Sequence, residues 1–255
     1  IYNELLQDYD PQKMGLKFLR PGVLQVVLSG PWVSEDYPTL AQWLNGHENT
    51  IRILQQACRI KTCRFPSNFN LAVTDKVQIN RNTALKSWAV LLLLSGNNDI
   101  AEGRLDQGFL KYVCALQIAD HLYQQKRITD FLISFGIEGL ALPPINRLVI
   151  EGQLNVNQLK IVSDNLKNLE NNWSSDFSQC LEYDKFFVKN TFCSLVYETD
   201  EKGCVRFSRD PAAAIWGRFR LRKLKETYCQ RKSMKAYTIL AWFNLPATPQ
   251  QAAKI

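Results

Sequence analysis

A nucleophilic triad passes its proton through a histidine, and this sequence holds two histidines, His47 and His121. His121 follows Asp120 and stands seven residues after Cys114 in a stretch with helical spacing. Seven residues along a helix separate two side chains by about 10 Å. A Cys114 and His121 pair is therefore not expected to act together, and His121 reads as a hydrogen-bonded group at the edge of a core. Glu138, inside FGIEGLAL, is the carboxylate with more chemical promise. Among Phe135, Ile137 and Leu140 it is costly to bury as a charge unless a cation such as Arg104 or Arg147 reaches it. A structural ion pair and a functional carboxyl with a raised pKa both remain open. Glycosidase chemistry needs two carboxylates across one cleft, and nothing in the spacing sets Glu151 opposite Glu138.

Cofactor chemistry has little to stand on. The seven cysteines are an odd set: Cys58 and Cys63 stand five apart, while Cys114, Cys180, Cys193, Cys204 and Cys229 are scattered. Paired Cys-x-x-Cys units or a Cys pair with a His pair, the usual zinc spacings, do not occur. No metal and no cofactor are expected, and glycine-rich phosphate loops of the Walker or Rossmann type are absent. In an oxidising compartment a Cys58–Cys63 bridge, or one among the late cysteines, would be the expectation. In a reducing one they would serve as small buried hydrophobes.

Charge is concentrated late. Between Arg206 and Lys235 there are ten Lys or Arg against two acids, a net +8, so the whole excess behind the chain's +7 lies in this one segment. Its centre interleaves Phe219, Leu221, Leu224 and Tyr228 with Arg218, Arg220, Arg222 and Lys223. Such a pattern can hold phosphates or anionic headgroups. It equally describes an amphipathic helix whose cationic stems cover apolar surface. Nucleic acid is not expected as a partner, because no RNP-like, zinc-finger or helix-turn-helix signature accompanies the charge.

These residues need a scaffold, and the periodicity supplies helices. Residues 1–38 read as an N-terminal arm with prolines at 11, 21, 31 and 38 and a run, VLQVVL, suited to a short strand or a packed arm. Ser34 reads as a helix cap. From 39 onward a single helical domain is expected. Ala84, Trp88, Leu91, Leu92 and Ser95 recur at three and four, and a second helix opens at Leu105 with Phe109, Tyr112, Leu116, Ala119 and Leu122 inward. Gly108 and Ala115 would let those two helices approach closely. Thr129 is a cap candidate for a helix that Pro143 and Pro144 interrupt or restart, and another helix begins near Asn155. A β-hairpin is possible near 192–208, and basic helices are expected over 211–245. The fold class is all-α: antiparallel helical hairpins packed as an irregular α-solenoid or bundle, with a core over 82–169.

Gly96, Gly103, Gly108, Tyr112 and Ala115 stand in the order of one tetratricopeptide-type unit, without its closing proline. Taken with CRIKTCRFPSNF, AEGRLDQGFLKYVCALQIADHL and ISFGIEGLALPPINRLVIEGQLNVNQL, in that order, the stretch from Asp36 to Leu169 resembles a family of uncharacterised helical proteins common in planctomycete-type bacteria. The resemblance implies an all-α fold and an extracytoplasmic, periplasmic or membrane-associated setting. It hands over no catalytic residue. The chain begins at Ile1 rather than Met, which suits a trimmed form that an export signal or anchor preceded. The most apolar run, AVLLLL from Ala89 to Leu94, falls far short of the roughly 20 residues that span a bilayer, so no transmembrane segment is expected.

The sequence therefore points to a non-catalytic protein-binding or scaffold module whose partner is another protein or a membrane-associated assembly. The alternatives are a helical enzyme with a pocket around Glu138 and His121, and a binder of anionic surfaces through 218–235. The binding candidates are Arg218, Arg220, Arg222, Lys223, Tyr112, His121 and Glu138.

Overall fold

The computed structural model describes residues 2–20, 22–65, 71–125, 127–168, 173–199 and 205–207, with side chains described for 2–20, 22–65, 81–125, 127–164 and 175–186. Helices dominate: α1 (Tyr2–Gln7), α2 (Val23–Ser29), α3 (Pro38–Gly46), α4 (Glu48–Ala57), α5 (Leu71–Ala101), α6 (Leu105–Tyr123), α7 (Ile128–Ile150), α8 (Val156–Asn168) and α9 (Trp173–Val196). Two three-residue strands follow, β1 (Tyr197–Thr199) and β2 (Val205–Phe207), antiparallel with Tyr197 opposite Phe207. The chain divides into two compact units. One comprises Ile1–Pro66 with Gln78–Cys180 and contains the arm and the core; the other comprises Ser67–Val77 with Leu181–Ile255.

The core of the first unit is built on α5 and α6. Leu85 and the run Leu91 to Leu94 are all buried, so this part of α5 is apolar on several faces, as a central helix must be. α6 presents Phe109, Tyr112, Ala115, Ile118, Ala119 and Leu122, spaced at three and four, to the same core. Glycine decides how closely the two helices meet. A Cβ on Gly96 would lie 2.6 Å from Tyr112 Cε1, and one on Gly108 would lie 2.8 Å from the carbonyl oxygen of Gly96. Only two missing side chains permit that approach. α7 packs along α6, with Phe131, Ile137, Ala141, Ile145 and Leu148 buried. Among the described residues α7 alone is long and apolar enough to cross a bilayer. It also buries Asp130, Ser134 and Glu138, as a core helix with internal partners does.

Several local expectations are corrected. VLQVVL is helical rather than a strand: Val27 is fully buried, and the Asn97 amide donates to the carbonyls of Val27 (2.7 Å) and Leu28 (3.1 Å). The tertiary hydrogen bonds thus supply what a β-branched run would otherwise seek from a neighbouring strand. Ser34 caps nothing, since α3 starts behind Tyr37 with Pro38 in its first turn. Its N–H is instead held by Glu102 Oε1 at 2.9 Å, and its hydroxyl accepts from Asn98 at 3.1 Å. α7 opens at Ile128 after an extended Arg127, which places Thr129 inside the first turn rather than at the cap. Pro143 and Pro144 sit inside a continuous α7. They remove the donors for the carbonyls of Gly139 and Leu140, residues that are exposed and half-exposed, where water can replace the missing N–H groups.

Candidate functional site

α6 carries two of the predicted site residues, and the fold uses both for anchoring. Tyr112 is buried, and its hydroxyl donates to Asn97 Oδ1 at 2.6 Å; burial pushes that phenol up. Asn97 is the same residue that holds α2, so one chain of bonds links α6, α5 and the arm. Its neighbours extend the grip. Asn98 donates to the Trp32 carbonyl at 3.2 Å, while Asp99 accepts from Arg104 Nε at 2.9 Å and from Lys111. The segment SGNND at the end of α5 is a latch for residues 27–34.

His121 is fully buried between distant parts of the chain. Its Nε2 lies 2.6 Å from the Ile60 carbonyl, which can only accept, so Nε2 carries the proton. Nδ1 then accepts from the Tyr2 hydroxyl at 3.0 Å. Burial lowers the imidazole pKa, against opposing contributions from the Ile60 carbonyl and Asp120, and burial raises the Tyr2 phenol. Both ring nitrogens are engaged by the fold, and neither is left for a substrate proton. Cys114 has a different partner: the Cys58 thiol donates to the Cys114 carbonyl at 3.3 Å. The hydrogen bond with the Cys114 thiol and burial hold the Cys58 thiol above its ordinary range. Cys58, Cys63 and Cys114 are free thiols, so Cys58 and Cys63 are not bridged to each other.

Glu138 is buried, and among the described residues it has no cation beside it. Ser134 donates to Oε1 at 3.2 Å, Arg104 is committed to Asp99, and Arg147 donates to the Ser29 carbonyl. Burial raises its carboxyl pKa, the Ser134 bond opposes this, and Asp120 adds to it. A buried ion pair lies elsewhere on α7. Arg81 grips Asp130 at 2.8 and 2.7 Å, Asn82 donates to the same carboxylate, and the guanidinium lies 4.6 Å from the Phe65 ring centroid.

Residues 61–65 form the most unusual surface of this unit, and sequence reasoning passed over it. Two consecutive glutamines at the end of α6 hold it. The Gln124 amide donates to the Lys61 carbonyl (3.0 Å) and accepts from the Cys63 N–H (3.0 Å). Gln125 does the same one step on, donating to the Cys63 carbonyl (2.8 Å) and accepting from the Phe65 N–H (3.0 Å). Two cavities flank this strap and share Thr62 and Arg64. The larger, of about 750 Å³, is lined also by Tyr123, Phe131, Asp176 and Cys180; the smaller, of about 230 Å³, by Tyr2, Ile60, Phe65 and His121. Tyr123 donates to Asp176, and burial with this bond raises its phenol. Glu138 lines neither cavity, so the structure does not gather Glu138 and His121 at a common one of the two. The signals available in the sequence were the Gln124–Gln125 pair and the cations of RIKTCR.

Arg218, Arg220, Arg222 and Lys223 lie outside the described residues. Among the described residues, no group of three or more His, Cys, Asp or Glu side chains is placed to hold a metal ion. The fold and these sites define a helical protein whose first unit is tied together by buried amides, ion pairs at Asp99 and Asp130, and a strap with two flanking cavities. Compared with family models, with curated proteins and with solved structures, the chain matches none.

Proposed function

We propose that this chain is a non-catalytic protein-binding or scaffold module. The observation that carries the reading is at the two helix ends flanking the α7–α8 connection, where Val149 and Ile150 of α7 and Val156 and Leu159 of α8 are all exposed, Ile150 at 75% and Val156 at 82%. Large apolar side chains gathered outside a core mark surfaces that partners cover. The engagement of His121 by Tyr2 and Ile60 and of Tyr112 by Asn97 supports it further, since these side chains serve the fold. The finer architecture belongs to the same proposal: consecutive helices stacked as antiparallel hairpins, supported by the close α5–α6 approach and the α6–α7 packing. The extracytoplasmic setting and a membrane-associated partner rest on the sequence resemblance alone. Affinity capture from the native host is expected to return a stoichiometric protein partner. An Ile150→Asp, Val156→Asp variant with unchanged circular dichroism is expected to lose it. Retention of the partner by that variant would remove this surface from consideration.

A further inference from the structure

The strap 61–65 is built like a strand that has found one neighbour. In a parallel pair, a residue donates to the carbonyl of one residue and accepts from the N–H two positions on. The Gln124 carboxamide does this to Lys61 and Cys63, and the Gln125 carboxamide repeats it on Cys63 and Phe65, all at 2.8–3.0 Å. Two side chains at the end of a helix therefore imitate two alternate residues of a partner strand. Backbone groups on one edge of such a segment belong to alternate residues, here 61, 63 and 65. Thr62 and Arg64 supply the other edge, and among the described residues their N–H and C=O groups have no hydrogen-bond partner. Both residues are exposed, and both line the two cavities.

Charge narrows the occupant. Arg59, Lys61 and Arg64 are exposed and make no ion pair among the described residues, and no acid interrupts 59–65. Asp176, which lines the larger cavity, accepts from Tyr123, and Asp120 accepts from Gln117 and Gln124. An unpaired edge is a template for another chain, and main-chain bonds at such an edge give affinity while neighbouring pockets select side chains. We propose that the Thr62–Arg64 edge takes an extended, acidic segment of a partner protein as an added strand, with one of its side chains entering the cavity walled by Tyr123 and Phe131. This surface is separate from the α7–α8 connection, and it would make the chain a scaffold with two occupied faces.

The probe is fluorescein-labelled Glu-Val-Glu-Val-Glu amide, followed by fluorescence polarisation against the full chain. Its Lys-for-Glu counterpart and two versions N-methylated on alternate backbone nitrogens serve as comparisons. Saturable binding by the acidic peptide is expected, with none by the basic one. Binding should weaken about tenfold or more with Arg64→Glu, with Thr62→Pro, and with one of the two N-methylated registers, the loss expected when backbone bonds and a rim charge are removed. Amide exchange at Thr62 and Arg64 should slow on peptide addition. No saturable binding overturns the proposal, as does binding that survives Thr62→Pro and both N-methylations, which would be attraction of charge alone. The N-methylated arms use the unaltered protein, so they decide the matter if a variant fails to fold. A captured partner that stays bound to Thr62→Pro but leaves with Ile150→Asp would overturn strand addition for that partner while leaving the scaffold reading intact.

Discussion

Replacing Gly108 by Ala should destabilise this protein, although the same change elsewhere on its helices should do the opposite. A helical Gly→Ala normally gains about 1 kcal/mol from backbone entropy. At Gly136 of α7, where an added Cβ meets nothing within 4 Å, that gain should appear in full. At Gly108 the new methyl would stand 2.6 Å from Ile100 Cδ1 and 2.8 Å from the Gly96 carbonyl oxygen. The isoleucine can rotate. The carbonyl belongs to the α5 backbone and can withdraw only if the helices separate. Overpacking of this kind costs about 1–3 kcal/mol, so the net effect is a loss of about 1–2 kcal/mol once the propensity gain is set against its upper range. Gly96→Ala meets the Tyr112 ring at 2.6 Å, and that ring is fixed by its bond to Asn97. Because both changes separate the same pair of helices, the double variant should cost less than the two single losses combined. Urea unfolding followed by tryptophan fluorescence and circular dichroism measures all five proteins. Gly108→Ala unfolding at the parent's urea midpoint or above would show that the helices do not meet there.

Three other expectations follow from buried polar groups. Asp130→Ala should cost about 3–5 kcal/mol because it leaves the Arg81 charge without its carboxylate; adding Arg81→Met should recover part of that loss in a denaturation cycle, and strict additivity would refute the pairing. His121 has a folded-state pKa below its unfolded value near 6.5. The fold therefore favours the neutral ring, and its contribution is present above the unfolded pKa and lost as pH falls toward the folded one. Unfolding midpoints should drop below about pH 6.5, and His121→Gln should flatten that slope; an unchanged slope counts against the buried neutral imidazole. Glu138 has the reverse sign: its folded pKa is raised, so its contribution is full below the unfolded carboxyl pKa and lost as pH rises through the folded value. Glu138→Gln should consequently unfold later than the parent at neutral pH, and a lower midpoint would mean that the carboxylate has a cation after all.

What was legible in the sequence was whatever depends on near neighbours. The inward stripe of α6 from Phe109 to Leu122 is a matter of spacing at three and four, and it lies where the periodicity put it. Gly108 was readable as a point of close approach because a missing side chain on an inner stripe has few other uses. Polar partners were not readable. His121 is fixed by residues 119 and 61 positions away, and no local pattern announces a tyrosine in the first turn of the chain as its donor. Glu138 invited an ion pair on grounds of burial alone, yet Arg104 pairs with Asp99 five residues away and Arg147 donates to the Ser29 carbonyl of the arm. VLQVVL shows the same limit, since its β-branched residues favour a strand until the Asn97 amide comes within reach of its carbonyls. The strap was missed because side-chain amides standing in for a strand leave no periodic trace.

The grip of Asn97 and Asn98 on residues 27–34 ties two stretches nearly seventy positions apart into one cooperative unit. The final turn of α5 cannot fray by itself, because its amides would drag the carbonyls of Val27 and Trp32 into the same opening event. Amide exchange in the arm and at the end of α5 should then share a single protection factor, so that the first thirty-odd residues melt with the core rather than ahead of it.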